Sequence, residues 1–171
     1  MNPRRRCAIV SFLTMTTRED AAMFRSILMG AVAGSRAMTP LATVANAARL
    51  GALPRDNGAP ALLAHPLVSA GALAIAAGEL AGDKMKTAPD RIVPAGLAAR
   101  LFTGGVAGAA YAPRERRVIG AALGAAAAVG MSYLTFRLRM AALRRYGQTA
   151  SGLVEDALTV GSAVIVARQR T

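Results

Sequence analysis

Six ionisable residues interrupt, or lie at the edges of, the long apolar stretches of this sequence. They are Arg36, Glu79, Asp83, Arg100, Glu155 and Asp156. In hydrocarbon, an Arg or Asp at the centre of a helix costs roughly 2.5 to 3.5 kcal/mol, so chains keep such groups where they are paired, hydrated or useful. Opposite charges would form a charge-assisted network, whereas an unpaired carboxylate would take up a proton. This set is therefore the candidate buried polar cluster.

The apolar segments that carry these residues predict that most of them converge at one membrane face. Glu79 precedes the end of the second apolar segment, Arg100 follows the start of the third, and two acids open the fifth. Glu79 and Asp83 are four residues apart, hence on one helical face where like charges repel. We expect Arg100 or Arg36 to lie between them. For Asp83 and the two acids of the fifth segment, the alternative is a position at the membrane–water interface. Acids in the first turn of a helix are also stabilised by the positive end of the helix dipole.

The cysteine and histidine content excludes several kinds of site. Cys7 is the single cysteine and His65 the single histidine, so an intrachain disulfide, a Cys/His metal site and a histidine-based triad lack partners. The glycines form no phosphate or dinucleotide loop after a strand. We therefore predict no catalytic, cofactor-binding or metal residues and no enzyme activity. An intramembrane enzyme with Asp83 or Glu155 as a base is the least supported class, because no nucleophile accompanies them.

The composition favours a helical bundle in a membrane. Hydrophobic residues make up 54% of the 171 positions, charged residues 18% and aromatic residues 4%, with 17 Gly and no Trp. This excludes intrinsic disorder, and small side chains suit helix contacts in lipid better than an aqueous core. The net charge is +12, but the arginines lie between apolar segments, which indicates loops flanking membrane spans. We expect the lipid bilayer, and no nucleic acid, as a partner.

The apolar segments predict an all-α, polytopic membrane bundle of about five spans. The first span is broken near Arg36–Pro40 into pieces at about 21–35 and 40–50, and the others cover about 66–83, 95–112, 118–136 and 152–167. Thr39 is the expected N-cap after the break, with Pro40 as the first helical residue. The two pieces form either one kinked span, which we favour, or a re-entrant hairpin.

The bundle is expected to be one domain over residues 21–167, between a tail at 1–20 and a short tail at 168–171. Met15 is an alternative start, in which case residues 1–14 are an extension. In the five-span arrangement the cationic connectors are more numerous on the side of the N-terminus, which predicts that the N-terminus is cytoplasmic. A re-entrant first segment would reverse the sides of the later connectors.

Four glycine pairs have the small-xxx-small spacing that puts two glycines on one face of a helix. They are Gly30/Gly34, Gly78/Gly82, Gly104/Gly108 and Gly120/Gly124. We expect close helix crossings at these pairs, either within one chain or between copies in a homo-oligomer.

An ordered series of motifs carries a resemblance to a known family. The motifs are 34–40 (GSRAMTP), 48–51 (ARLG), 79–84 (ELAGDK), 89–108 and 153–156 (LVED). They resemble those of a bacterial integral-membrane family, domain-of-unknown-function family 4126, over about residues 21–167. The six charged residues of the cluster, with Lys84 and Arg91, match charged positions of that family, whereas Met85-Lys86 departs from its pattern. The resemblance implies a multi-pass protein of the bacterial cytoplasmic (inner) membrane, and the family has no established activity.

Two functional hypotheses follow from these features. In the first, the Arg/carboxylate cluster supports passage of an ion or small solute across the membrane. In the second, the cluster only fixes helix packing in a non-catalytic scaffold or assembly protein, and the glycine faces recruit a partner or a second copy. A hydrated, open cluster would favour passage, and a dry, mutually satisfied cluster would favour the scaffold.

Overall fold

The structure is a computed structural model that describes residues 3–82, 93–146 and 148–168, with side chains described from Arg18 to Ala81, over 93–141 and over much of 154–168. These residues form six α-helices and no strand, so the all-α class is confirmed. The helices are α1 (Pro3–Ser35), α2 (Met38–Arg49), α3 (Pro66–Gly82), α4 (Pro94–Tyr111), α5 (Arg117–Tyr146) and α6 (Gln148–Arg168). Short 3-10 turns lie at Ala61–Ala64 and Arg114–Arg116.

Two helices extend well beyond the predicted apolar segments. α5 continues to Tyr146, through much of the stretch predicted as a basic connector. Arg, Leu, Met and Ala dominate that stretch and are strong helix formers, so the charge ends the apolar segment without ending the helix. α1 begins at Pro3, and most of the predicted N-terminal tail is therefore helical. Proline suits a first helical position, because the amide that it lacks would have no partner there.

Glycines allow α1, α4 and α5 to meet at backbone distance. A β-carbon on Gly30 would collide with the backbone of Gly124 in α5, and one on Gly124 would collide with the backbone of Gly104 and Gly108 in α4. A β-carbon on Gly34 would meet Ala128 and its neighbours in α5. The three helices therefore cross at positions that exclude any larger residue, which is how small side chains stabilise bundles in lipid.

The chain reverses direction between α1 and α2. α1 is antiparallel to α4, because Ser26 donates a hydrogen bond of 2.7 Å to the carbonyl of Gly108, while Ala33 lies against Gly104. After α2, the amide of Gly58 donates to the carbonyl of Ala112, just beyond the end of α4. α2 must therefore run back along the bundle, and α1 and α2 form a helical hairpin.

The chain therefore does not follow the predicted kinked span at 21–50, in which the two pieces stack end to end. Its path is a hairpin, as in the alternative, and re-entry into a membrane stays a prediction. The break lies at Arg36 and Ala37, where the prediction put it, but the chain turns back there because α3 supplies hydrogen bonds to the start of α2, as described below. Gly51, with a φ of +63°, ends α2 in the left-handed region that glycine adopts without strain.

The hairpin also changes which connectors share an end of the bundle. One end, the Tyr111 end, carries Glu19, Tyr111 and Arg116, and the loop of Gly58 lies there too. The opposite end, the Arg36 end, carries Arg36, Glu79 and Asp156. The described arginines that lie toward the Tyr111 end are Arg18, Arg25, Arg49, Arg55, Arg114, Arg116 and Arg117. The five-span arrangement puts Arg18 and Arg25 on one side of the membrane and the connectors after α2 and α4 on the other. That separation is wrong, because in the structure these arginines lie at the same end of the bundle.

Most of the buried apolar residues are alanines, and many large apolar residues lie on the surface of the bundle. Ala33, Ala45, Ala107 and Ala128 are completely buried, as is Ser26. The exposed large apolar side chains come from every long helix, and they include Phe24, Leu67, Ile75, Phe102, Leu134, Leu158 and Ile165.

Helix length and composition identify a single membrane-length helix among the described residues. The apolar helical stretch Arg114–Ala141 is long enough to cross a membrane, and Pro66–Ala81 is a shorter apolar helix. The bundle of about five spans therefore stays a prediction.

We predict that Gly124→Ala destabilises the protein by about 1–3 kcal/mol, because its β-carbon would force α4 and α5 apart. Gly130→Ala is the matched control in the same helix, since nothing lies within 4 Å of its β-carbon position. The control should be neutral or gain up to about 1 kcal/mol from helix propensity. Thermal unfolding of the detergent-solubilised variants measures both, and equal stability of the two would contradict the proposed crossing.

Candidate functional site

The carboxylate of Glu79 caps the start of α2. Its Oε1 accepts from the amide of Ala37 and its Oε2 from the amide of Met38, each at 2.9 Å. The first amides of a helix have no partner within the helix and form the positive end of its dipole. A carboxylate at this position therefore satisfies two backbone donors and is itself stabilised as an anion.

This cap replaces the one that the sequence predicted. Ala37 is the N-cap residue, without a side-chain cap, and α2 begins at Met38, so the assignments of Thr39 as N-cap and Pro40 as first helical residue are wrong. The buried hydroxyl of Thr39 has no hydrogen-bond partner in the structure. Pro40 lies within the first turn, where its missing amide costs no helical hydrogen bond.

Arg36 links the helix break to both α3 and α6. Its Nη2 forms an ion pair with Oδ1 of Asp156 in α6. Its Nη1 donates a long hydrogen bond of 3.5 Å to the main-chain carbonyl of Glu79, in the last turn of α3. The side chain of Arg36 is 2% exposed and that of Asp156 is 13% exposed. The guanidinium thus holds three helices together at the Arg36 end, and burial makes the attraction stronger than at a surface.

The remaining members of the predicted cluster are placed as follows. Arg100 is buried on α4, one turn before Gly104, and therefore lies toward the Arg36 end. Asp83 lies outside the described residues. Glu155 belongs to α6, and its side chain lies outside the described part of the chain. Within the described side chains, the structure thus brings together Arg36, Glu79 and Asp156.

The predicted packing glycines divide into two groups. Six of them, Gly30, Gly34, Gly104, Gly108, Gly120 and Gly124, lie where α1, α4 and α5 cross. Around Gly78 in α3, by contrast, nothing lies within 4 Å of a β-carbon position. Gly82 is the last residue of α3.

Sequence reasoning missed two features. The cap joins residues that are 42 and 41 positions apart, and no local pattern signals such a contact. The second is Arg25, which is buried on α1. It lies eleven residues, about three helical turns, before Arg36 and hence on the same helical face. That spacing was a signal available in the sequence.

The arrangement has the character of a structural network. Both oxygens of Glu79 accept backbone hydrogen bonds and the Arg36 guanidinium is paired, so the described contacts of both groups join one helix to another. Across the described residues, no group of three or more His, Cys, Asp or Glu side chains is placed to hold a metal ion.

No protein-family model matches the chain, and neither curated proteins nor solved structures provide a significant match. The resemblance to domain-of-unknown-function family 4126 therefore stays a prediction.

We predict that Glu79→Ala destabilises the protein by about 1–3 kcal/mol, because two buried amides lose their acceptors. Thr39→Val, which removes a buried hydroxyl without a partner, should leave stability unchanged or raise it. Chemical or thermal unfolding in detergent checks both variants. A loss in Thr39→Val equal to that in Glu79→Ala would show that Thr39, and not Glu79, caps α2.

We also predict energetic coupling between Arg36 and Asp156. A double-mutant cycle with Arg36→Gln and Asp156→Asn should give an interaction of about 1–3 kcal/mol, because either single change leaves a buried charge without its partner. The pair of Glu19 and Arg116, whose nitrogen and oxygen are 3.0 Å apart, is the control. Arg116 is 52% exposed, so this coupling should stay below about 1 kcal/mol. Additive effects at Arg36 and Asp156 would rule out the bridge.

Proposed function

We propose that the chain is a multi-pass integral membrane protein of the bacterial inner membrane, and that it acts as a non-catalytic scaffold or assembly protein. The distribution of side chains supports the membrane placement. Large apolar side chains cover the outside of the helices, while alanine, glycine and serine pack inside. In lipid this distribution carries no penalty, because the surrounding acyl chains solvate the apolar surface.

The single observation that carries the scaffold role is the engagement of both Glu79 oxygens by backbone amides. Each oxygen accepts a hydrogen bond of 2.9 Å from an amide at the start of α2. A carboxylate that moves protons or binds a passing cation would have to weaken these bonds, and with them the start of the helix. Arg36 is likewise almost completely buried against Asp156 and α3. These contacts support a cluster whose task is to hold the α1–α2 hairpin closed against α3 and α6.

The second candidate function is passage of an ion or small solute past the same cluster. Its support is the broken helix, because transporters place ion and solute sites where a helix is interrupted within the membrane. Glu79 also keeps partial exposure, as does Asp156. Under this candidate, hydration of the Arg36 end would release Glu79 from its cap during transport.

Under the scaffold role, the first expected partner is a second copy of this chain, which would form a homo-oligomer. Gly78 lies on α3 with open space around it, and Leu67 and Ile75 of the same helix are exposed. A second copy packing on α3 would use the small-residue spacing that α1, α4 and α5 already use within the chain.

Two measurements on the full-length protein test the proposal. The protein should stay in the membrane pellet after alkaline carbonate extraction, and release into the supernatant would contradict membrane insertion. Purified protein is then reconstituted in vesicles that carry gradients of protons, K⁺ or Cl⁻. The scaffold role predicts flux equal to that of protein-free vesicles. Flux above that level in the wild type, abolished by Glu79→Gln and by Arg100→Ala, would replace the scaffold with the passage function.

A further inference from the structure

Two buried arginines lie on one helical face, Arg25 within α1 and Arg36 just after its end. Met29 is completely buried among residues of α2 and α4, and Arg25 and Arg36 lie one and two turns from it on the same helical face. Arg25 is 7% exposed and Arg36 is 2% exposed. The two side chains are thus alike in residue type, helical face and overall burial.

Their partners differ. Arg36 has a carboxylate from α6 and a carbonyl from α3. In the described structure, no carboxylate lies within ion-pair distance of Arg25, and no acceptor makes a hydrogen bond with its guanidinium. The positions one turn away on α1 are Ala21, Ala22, Leu28 and Met29, which supply no acid. The nitrogens of Arg25 are not among the buried polar atoms without a partner, so solvent reaches the guanidinium and it can take up an anion that the described chain does not supply.

A second buried donor lies beside Arg25. Tyr111 is 3% exposed, and its hydroxyl has no hydrogen-bond partner. The Arg25 guanidinium is within electrostatic range of that hydroxyl. The contact between Ser26 and Gly108 fixes this juxtaposition, because Arg25 adjoins Ser26 and Tyr111 follows Gly108 by one turn. Buried phenolic hydroxyls normally find a partner, so an unused Tyr111 donor next to an unneutralised guanidinium is a second sign of a missing acceptor.

We propose that Arg25 and Tyr111 form a binding site for an oxyanion of the phosphate class. The planar guanidinium matches two phosphate oxygens, and the tyrosine hydroxyl donates to a third. The nearest described acids along α1 are Asp20 and Glu19. Asp20 is exposed and lies five residues before Arg25, on another face of the helix, and Glu19 is engaged with Arg116. Exposed Arg114 and Arg117 at the same end raise the local concentration of anions. The site lies at the Tyr111 end of the bundle. Under the membrane placement proposed above, the phosphate belongs either to a lipid headgroup or to a soluble phosphate.

Thermal unfolding of the full-length protein in a non-ionic detergent tests the site. One titration uses inorganic phosphate against chloride at equal ionic strength. The other uses phosphatidylglycerol against diacylglycerol, which lacks the phosphate. Stabilisation by inorganic phosphate identifies a soluble anion, and stabilisation by phosphatidylglycerol alone identifies a lipid headgroup. If neither phosphate probe stabilises the wild type beyond its control, the proposal is overturned.

Variants assign the effect to this pair. Arg25→Gln should weaken the apparent affinity for the effective probe by at least about tenfold, and Tyr111→Phe by about five- to tenfold. Tyr133→Phe and Arg137→Gln are the matched controls, because both residues are exposed on α5, away from the Tyr111 end, and should keep wild-type affinity. Without probe, Tyr111→Phe should be at least as stable as the wild type, since it removes a buried donor that has no partner. If Arg25→Gln does not fold, Tyr111→Phe decides alone, and wild-type affinity in that variant would refute the site.

Discussion

The start of α2 depends on a carboxylate that comes from another helix. A helix that begins inside a packed bundle exposes amides that water cannot reach, and each unpaired amide would cost about as much as a lost hydrogen bond. Glu79 removes that cost for Ala37 and Met38. Once this cap is in place, α2 runs back along the bundle, α3 lies beside it, and Arg36 is held where it meets Asp156. The hairpin path of the chain and the charged cluster are therefore two consequences of one contact.

The packing of α1, α4 and α5 against one another depends on glycines, which have no side chain to keep the helices apart. Where α1, α4 and α5 cross, glycine lets carbonyl groups and α-carbons of neighbouring helices come into contact. Such close packing gives dispersion attraction and leaves no cavity, and it needs no expulsion of water. A bundle stabilised in this way can present Leu, Ile and Phe to its surroundings, as this one does. The glycine contacts and the apolar surface are thus two features of one mode of helix packing.

The arginines at the two ends of the bundle differ in the partners that the chain provides for them. At the Arg36 end, acids on α3 and α6 complete the network within the chain. At the Tyr111 end, Arg25 and a tyrosine hydroxyl are donors for which the described chain provides no acceptor. This asymmetry divides the molecule into an end closed by its own residues and an end at which we propose an anion site.

The sequence by itself determined the helical class, the break at Arg36, and the bounds of α3 and α4, because apolar length, proline and glycine act locally. It also identified the three charged residues that meet at the break. Of the eight glycines that it predicted for helix packing, six lie where the helices cross. The direction of α2 depended instead on Glu79, which is 42 residues away from Ala37, so a local reading assigned the cap to Thr39. The extension of α5 to Tyr146 was missed because charge ends an apolar segment without breaking a helix. Only the tertiary structure decided which helix ends lie together, since that depends on contacts between residues far apart in the chain.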